Sequence, residues 1–271
     1  MLPVRNLSEA DVFLLDSGRK AAARFKEDGL PLRLMQKRLS AHQRYLMRTD
    51  PEILHSIFAL HPADLSLDED NYYFWDSTTL SLFDAAQAFL DRHLVVNPQP
   101  NLLDLGCGPY AILGCALKKL YPALNTVAAD VSASRTQSAK KFSVLNQLNI
   151  STISSDLLAS CFDEYDLILF NPPYVQPGSH QHSSLGLSAE EAVSGISREP
   201  TIKLISRLVN QFLELPGNPT LMLGINNYFL PHKSILKMLK SDHVSISTLY
   251  PESITTPYGA FCQVYSVKKS F

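Results

Sequence analysis

The residues best suited to chemistry are Asn171-Pro172-Pro173-Tyr174, called the NPPY segment below, which directly follow the apolar run 165–170. A strand that ends at Asn-Pro-Pro places the Asn side chain at the carboxyl edge of a sheet, where ligands bind in open α/β folds. Two prolines fix the backbone and remove two N–H donors, so the segment is stiff. Oxygens of Asn171 and Pro172 could accept from a planar NH₂ group while the Tyr174 ring covers its face. We therefore predict Asn171, Pro172 and Tyr174 as catalytic residues.

A second cluster lies upstream, at the glycine turn Gly106-Cys107-Gly108. The turn follows the predicted strand 102–105, and glycines let backbone N–H groups approach a ligand closely. Asp130 ends the next predicted strand, 24 residues after Gly106. A carboxylate in that position can accept hydrogen bonds from both hydroxyls of a ribose, so the pair predicts a nucleotide-like cofactor.

The residues around the turn discriminate between cofactors. A site for NAD would carry Gly-x-Gly-x-x-Gly, but residue 111 is Ala, and an acid, Asp104, precedes the turn. Asp104 favours a ligand with a cation near the turn, such as the amino group of S-adenosylmethionine (SAM). Asp156, near the end of the third predicted strand, is a candidate for the adenine amino group.

With these motifs the chain resembles class I SAM-dependent methyltransferases that carry (D/N/S)-P-P-(Y/F/W). Among them it is most similar to the glutamine N5-methyltransferases of release factors (the HemK/PrmC type). The resemblance covers roughly residues 72 to 271 and includes four ordered motifs: Asp-Leu-Gly-Cys-Gly at 104–108, Ala129-Asp130, Ser155-Asp156 and the NPPY segment.

The resemblance implies SAM as the cofactor, no metal, and methyl transfer to an amide or amino nitrogen of a protein or peptide. It implies cofactor contacts from Asp104, Gly106, Cys107, Gly108, Asp130, Val131, Asp156, Leu157 and Asn171. It also implies that residues 72–78 close over the cofactor, and that the N-terminal helices recruit the substrate, possible substrates including a release factor.

The element pattern explains how these residues come together. Predicted strands alternate with helices from residue 101 onward, which is typical of a doubly wound sheet. The predicted strands are 102–105, 125–129, 150–153, 165–170, 221–223, 244–249 and 260–267. The fold class is therefore α/β: a Rossmann-like, seven-stranded, mostly parallel sheet with an antiparallel closing pair, plus a small N-terminal helical module.

Two domains are predicted, a helical module at 1–71 and the methyltransferase domain at 72–271. The second helix of the module, 32–47, is rich in Lys and Arg. Such a charge pattern is usually a solvated face, and the alternative is a contact surface for an acidic partner or a phosphate backbone.

The composition excludes several classes of protein. Of 271 residues, 45% are hydrophobic and 18% charged, which is ordinary globular composition. The net charge of −2 gives no global attraction to nucleic acid or to an anionic membrane. The four cysteines contain no Cys-x-x-Cys pair, so free thiols in a reducing cytoplasm are expected. No signal layout or membrane-length apolar run is visible, which predicts a cytoplasmic protein without membrane contact.

Alternatives to glutamine methylation stay open. Methylation of an exocyclic base amine uses the same NPPY geometry, although the net charge and the lack of a basic domain argue against nucleic acid. A small-molecule enzyme, either an amine methyltransferase or a SAM-cyclising azetidine-2-carboxylate synthase, is compatible with the segment 175–200, which departs from the resembled family. A non-catalytic scaffold is disfavoured because Asp104, Asp130, Asp156 and the NPPY segment are all intact. No oligomeric state is predicted.

Overall fold

A seven-stranded sheet forms the centre of the protein. The structure is a computed structural model, and the residues it describes are 58–61, 77–173, 199–227, 230–240, 242–249, 255–256, 259–260 and 262–270. The helices within these residues are α1 (Ser77–His93), α2 (Ile112–Leu120), α3 (Ala133–Leu145), α4 (Thr201–Glu214) and α5 (His232–Leu239). The strands are β1 (Asn101–Leu105), β2 (Asn125–Asp130), β3 (Ser151–Ser154), β4 (Leu167–Phe170), β5 (Thr220–Asn226), β6 (Val244–Thr248), β7 (Thr255–Thr256), β8 (Gly259–Ala260) and β9 (Cys262–Lys269).

The strand order in the large sheet is β3-β2-β1-β4-β5-β9-β6. Strands β1 to β5 pair in parallel, whereas β9 is antiparallel to both β5 and β6. The predicted mostly parallel sheet and its antiparallel closing pair are therefore confirmed. The order reverses between β1 and β4, and ligands in such sheets bind outside the carboxyl ends of the strands at this switch point.

Helices cover both faces of the sheet. Residues of α1, α2 and α3 form one apolar core with Leu102, Leu167 and Leu169, while α4 and α5 form a second core with Leu103 and Ile168. All four residues of β4 are buried, as expected for a central strand covered on both faces. This burial explains why the sequence 167–170 is an uninterrupted apolar run.

Helix α1 lies unusually close to strand β5. A Cβ atom at Gly224 would come within 2.5 Å of Leu82 Cδ1 and 2.7 Å of Thr78 Cγ2, which are both on α1. Only a residue without a side chain permits that approach. Gly224 thus determines how closely the first turn of α1 approaches the carboxyl half of the sheet.

Residues 58–61 pack into the same core as α1. Phe58 and Leu60 are buried, and the Phe58 ring meets Phe83 edge to face at 5.3 Å between centroids. The His61 backbone N–H donates to Asn146 Oδ1 at 2.7 Å, which connects this segment to the end of α3. The predicted helices before residue 58 and the aromatic run at 72–75 lie outside the described residues, and the domain division at 71/72 stays a prediction.

Two further expectations concern cysteines and membranes. All four cysteines are free thiols, as predicted: Cys107, Cys115, Cys161 and Cys262. Among the described residues, no helix combines the length and apolarity needed to cross a bilayer.

Candidate active site

The glycine turn and the NPPY segment meet at the switch point of the sheet. Strands β1 and β4 are paired so that their last residues, Leu105 and Phe170, are partners. A Cβ atom at Gly106 would lie 3.1 Å from Phe170 Cε2, so the turn packs directly against the end of β4. The structure therefore brings together the two motifs that the sequence places 65 residues apart, from Gly106 to Asn171.

The backbone conformation of the turn favours glycine at two positions. Gly106 and Gly108 have φ angles of +65° and +63°, in the left-handed region that favours glycine. A Cβ atom at Gly108 would have no heavy atom within 4 Å, so open space lies beside this part of the backbone. Cys107 N–H donates to the Ala129 carbonyl at 3.0 Å, which ties the turn to β2. The result is a rigid turn with room for a ligand against Gly108.

Asp130 lies beside this open space at the carboxyl end of β2. Its carboxylate accepts from the backbone N–H groups of Gly108 at 3.1 Å and Ser132 at 2.9 Å. The side chain is buried, with Arg135 Nη1 4.0 Å away. Two backbone amides and one guanidinium thus hold a carboxylate where the sequence predicts a ribose contact. Val131, the next predicted contact, is exposed beside it.

Asp104 has a structural partner that the sequence did not reveal. Its Oδ2 accepts from the Gly114 backbone N–H at 2.8 Å, and the residue is only 3% exposed. Burial raises the pKa of Asp104 to about 7, with a further rise from the charge of Asp130, against the lowering effect of the Gly114 hydrogen bond. Asp104 therefore anchors α2 to β1, and the predicted contact with the cofactor amino group would have to use Oδ1.

Cys107 is kept in the neutral thiol form. Burial and the neighbouring charges of Asp104 and Asp130 hold the pKa of Cys107 well above its ordinary value. Its Sγ donates to the Gly108 carbonyl at 3.3 Å. Since the thiolate is the nucleophilic form, we expect little nucleophilic reactivity from Cys107.

Asp156 forms an ion pair with Arg207 on α4. Arg207 Nη1 and Nη2 donate to the two carboxylate oxygens of Asp156 at 2.7 and 3.1 Å, and Nη2 also donates to Glu199 at 2.7 Å. The Asp156 side chain is 56% exposed, so the pair is solvated. A contact of Asp156 with an adenine amino group would compete with Arg207, a residue that sequence reasoning missed because it lies 51 positions away.

The loop around Leu157 is held in one shape. Leu157 has a φ of +54°, an unusual conformation for a residue with a side chain, and strain of this kind clusters at functional sites. Ser155 Oγ donates to the Leu157 carbonyl at 2.8 Å and accepts from Ser160 N–H at 3.0 Å. Ser155 therefore fixes the loop that presents Asp156 and Leu157 at the end of β3.

The described part of the NPPY segment, residues 171–173, forms hydrogen bonds with helices on both faces of the sheet. Asn171 Nδ2 donates to Thr79 Oγ1 on α1 at 3.2 Å, and Thr201 Oγ1 on α4 donates to the Pro173 carbonyl at 2.7 Å. Pro172 is buried between these contacts. Tyr174 lies outside the described residues. Sequence reasoning missed both threonines, since their only sequence signal is a position at a helix start.

Comparison with known proteins defines the class of protein. Residues 79–192 match the family model "Methyltransferase small domain", a range that includes the glycine turn, Asp130 and the NPPY segment. The sheet order and this match identify a class I SAM-dependent methyltransferase domain, for which SAM is the cofactor. The open space at Gly108 and the fixed carboxylate of Asp130 fit that cofactor.

The chain is also similar to curated proteins that share one name. The chain is similar to "Ribosomal RNA small subunit methyltransferase C" of Pasteurella multocida (28% identical; 62% of this chain, 42% of the relative). It is similar to the protein of the same name from Ectopseudomonas mendocina (34% identical; 49% and 39%) and from Haemophilus influenzae (28% identical; 69% and 49%). The chain thus spans less than half the length of these relatives.

Solved structures share the fold. The hMettl16 catalytic domain, solved in complex with the MAT2A 3'UTR hairpin 1, is 16% identical with a TM-score of 0.56, over 100% of this chain and 95% of that one. Human methyltransferase 10 domain containing protein is 16% identical with a TM-score of 0.51, over 82% and 94%. At this identity the likeness supports the Rossmann-like methyltransferase fold alone.

Proposed function

We propose that this protein transfers a methyl group from SAM to the exocyclic amino nitrogen of a base in RNA, with ribosomal RNA as the leading substrate. The observation that carries the proposal is the position of Asn171 at the carboxyl end of β4, beside the glycine turn. An acceptor at that point suits a planar NH₂ group. The names of the curated relatives supply the substrate class.

The protein contributes mainly positioning to this reaction. An exocyclic amine is a weak nucleophile because its lone pair is delocalised into the ring. Asn171 Oδ1 and the Pro172 carbonyl would each accept one N–H of the amine, which aligns the nitrogen and favours a more pyramidal geometry. When bound, SAM supplies an electrophilic methyl group. Such positioning can contribute about 7–11 kcal/mol to a rate, and the proton released from the nitrogen can pass to water.

The residues at the turn would hold the cofactor. Gly108 leaves room for it, and Asp130 presents a carboxylate fixed by two backbone amides. Because these amides already fix the orientation of the carboxylate, Asp130 is preorganised to accept from two ribose hydroxyls. A preorganised acceptor loses less conformational freedom when the ligand binds.

The overall charge does not contradict an RNA substrate. Residues 32–48 contain five basic residues and no acidic residue: Arg33, Lys37, Arg38, Arg44 and Arg48. This segment lies outside the described residues, so the support comes from its composition alone. A local basic segment can contact phosphates even where the whole chain has a net charge of −2.

The relatives point to nucleic acid, which the sequence had indicated only as an alternative, and not to a glutamine side chain. Methyl-labelled SAM should therefore label ribosomal RNA or small ribosomal subunits in preference to tRNA, DNA, proteins or metabolites. The label should resist protease, and nucleoside analysis should place it on an exocyclic nitrogen. Label on a glutamine of a protein pool would contradict the proposal and restore the hypothesis of glutamine methylation.

Cofactor binding can be tested separately from the acceptor. Asp130→Asn should weaken SAM and S-adenosylhomocysteine by about 10- to 100-fold, because a hydrogen bond to a charged group contributes about 1.5–3 kcal/mol. Calorimetry measures both affinities. Asp163→Asn, an exposed carboxylate before β4, is the control and should bind normally. Unchanged affinity in Asp130→Asn would remove this residue from the cofactor site.

A further inference from the structure

We infer that Thr79 is a positioning residue that sets the orientation of the Asn171 side-chain amide, an inference that rests on the proposed function. Asn171 Nδ2 donates to Thr79 Oγ1 at 3.2 Å, across 92 positions in the sequence. Thr79 is only 4% exposed, so its hydroxyl meets protein atoms rather than solvent. The contact links the first turn of α1 to the residue that would hold the acceptor.

The orientation of this amide decides whether it can serve the reaction. An Asn side chain has an acceptor end and a donor end, and only Oδ1 can accept from the amino group of a base. A hydroxyl oxygen that accepts from Nδ2 directs Oδ1 away from Thr79. A flipped amide would instead present its own NH₂ to the NH₂ of the acceptor, where neither group can accept a hydrogen bond.

The position of Thr79 is itself determined by the packing of α1 on the sheet. Gly224 lets the helix approach β5 closely, since a Cβ atom there would collide with Leu82 and Thr78. The Thr79 hydroxyl is thereby held at a constant place relative to the end of β4.

Thr78 offers a matched control for the experiment. Both threonines are buried in the same helical turn, and Val replaces either one with nearly the same shape and without the hydroxyl. The Thr78 hydroxyl faces a cysteine, and only the Thr79 hydroxyl contacts the amide of Asn171. A general loss of packing should therefore affect both variants, whereas a loss of amide orientation should affect Thr79→Val alone.

The test compares kcat, the KM for SAM and the melting temperature for Thr79→Val, Thr79→Ser and Thr78→Val. Thr79→Val should lower kcat by about tenfold, the effect of one lost hydrogen bond, with little change in the KM for SAM. Thr79→Ser keeps the hydroxyl and should retain most of the activity. A wild-type kcat in Thr79→Val, or an equal loss in Thr78→Val, would overturn the inference.

A second comparison uses a side chain at residue 171 that needs no particular orientation. In Asn171→Asp both side-chain oxygens are acceptors, so either rotation presents one to the substrate. Thr79→Val should therefore cost less in the Asn171→Asp background than in the wild type, and an equal cost would count against the inference.

A readout without catalysis separates this inference from the proposed function. The NMR spectrum of protein with isotope-labelled asparagine reports on the side-chain amide of Asn171, whose resonance is assigned by its absence in Asn171→Ala. This resonance should shift in Thr79→Val and stay in place in Thr78→Val. An unshifted resonance in Thr79→Val would overturn the inference. If the wild type methylates a protein rather than RNA, the proposed substrate fails, and the same variants are compared on that protein.

Discussion

Asn171→Ala should lower kcat for methyl transfer by about 10²–10³, because removing one positioned polar group from such a site costs about 2.7–4 kcal/mol of transition-state stabilisation. The affinity for SAM should change little, since the alanine variant leaves Gly108 and Asp130 in place. Single-turnover kinetics with labelled SAM measures the rate, and calorimetry measures the affinity.

Two controls make this result specific to chemistry. Asn171→Asp retains oxygen acceptors and should keep partial activity, whereas a role in folding alone would make both variants equally mild. Melting temperatures identify any loss of stability, because the variant also removes the hydrogen bond to Thr79. Near-normal turnover by a well-folded Asn171→Ala enzyme would show that the NPPY segment is a structural turn.

Asp104→Asn should raise the stability of the protein at pH 8 and flatten its dependence on pH. Burial raises the folded-state pKa of Asp104 from its ordinary 3.8 to about 7. Because the native state then binds the proton more tightly than the unfolded state, this contribution is fully present below pH 3.8 and is lost as pH rises through 7. The difference corresponds to about 4 kcal/mol as an upper bound.

Urea unfolding at several pH values between 5 and 8 measures this effect. Asparagine keeps an oxygen that can accept from the Gly114 N–H but has no carboxyl group to titrate. The variant therefore separates the effect of the Asp104 charge on stability from the effect of this hydrogen bond. Asp163→Asn changes an exposed carboxylate and should leave the pH profile as in the wild type. A profile for Asp104→Asn that parallels the wild type would show that another group titrates.

The centre of the parallel sheet could be predicted because a strand buried on both faces, such as β4, is a short apolar run. The predicted strands β1 and β4 are followed by Gly106, whose φ of +65° leaves the extended conformation, and by Asn171-Pro172, where the proline has no N–H for the ladder. Parallel strands also place their carboxyl ends at one edge. The proximity of the glycine turn, Asp130 and Asn171 is predicted from that rule, and the structure pairs β1, which leads into the turn, with both β2 and β4.

The net charge is a poor guide to the proposed substrate. The net charge is a sum over the whole chain, whereas contact with phosphates depends on where the basic residues lie. Residues 32–48 contain five basic residues and no acidic residue. The NPPY segment could not discriminate either, because a glutamine amide and a base amine present the same planar NH₂ group. The preference for RNA comes from the relatives.

The sequence by itself determined the order of the strands and helices, the need for glycine in the turn, and the set of polar residues at the carboxyl edge. All of these depend on local properties: apolar periodicity, backbone freedom and the chemistry of single side chains. Only the tertiary structure decided which partner each polar group has: Gly114 for Asp104, Arg207 for Asp156 and Thr79 for Asn171. The last two partners lie 51 and 92 positions away, so these contacts depend on how helices pack on the sheet, which no local pattern encodes.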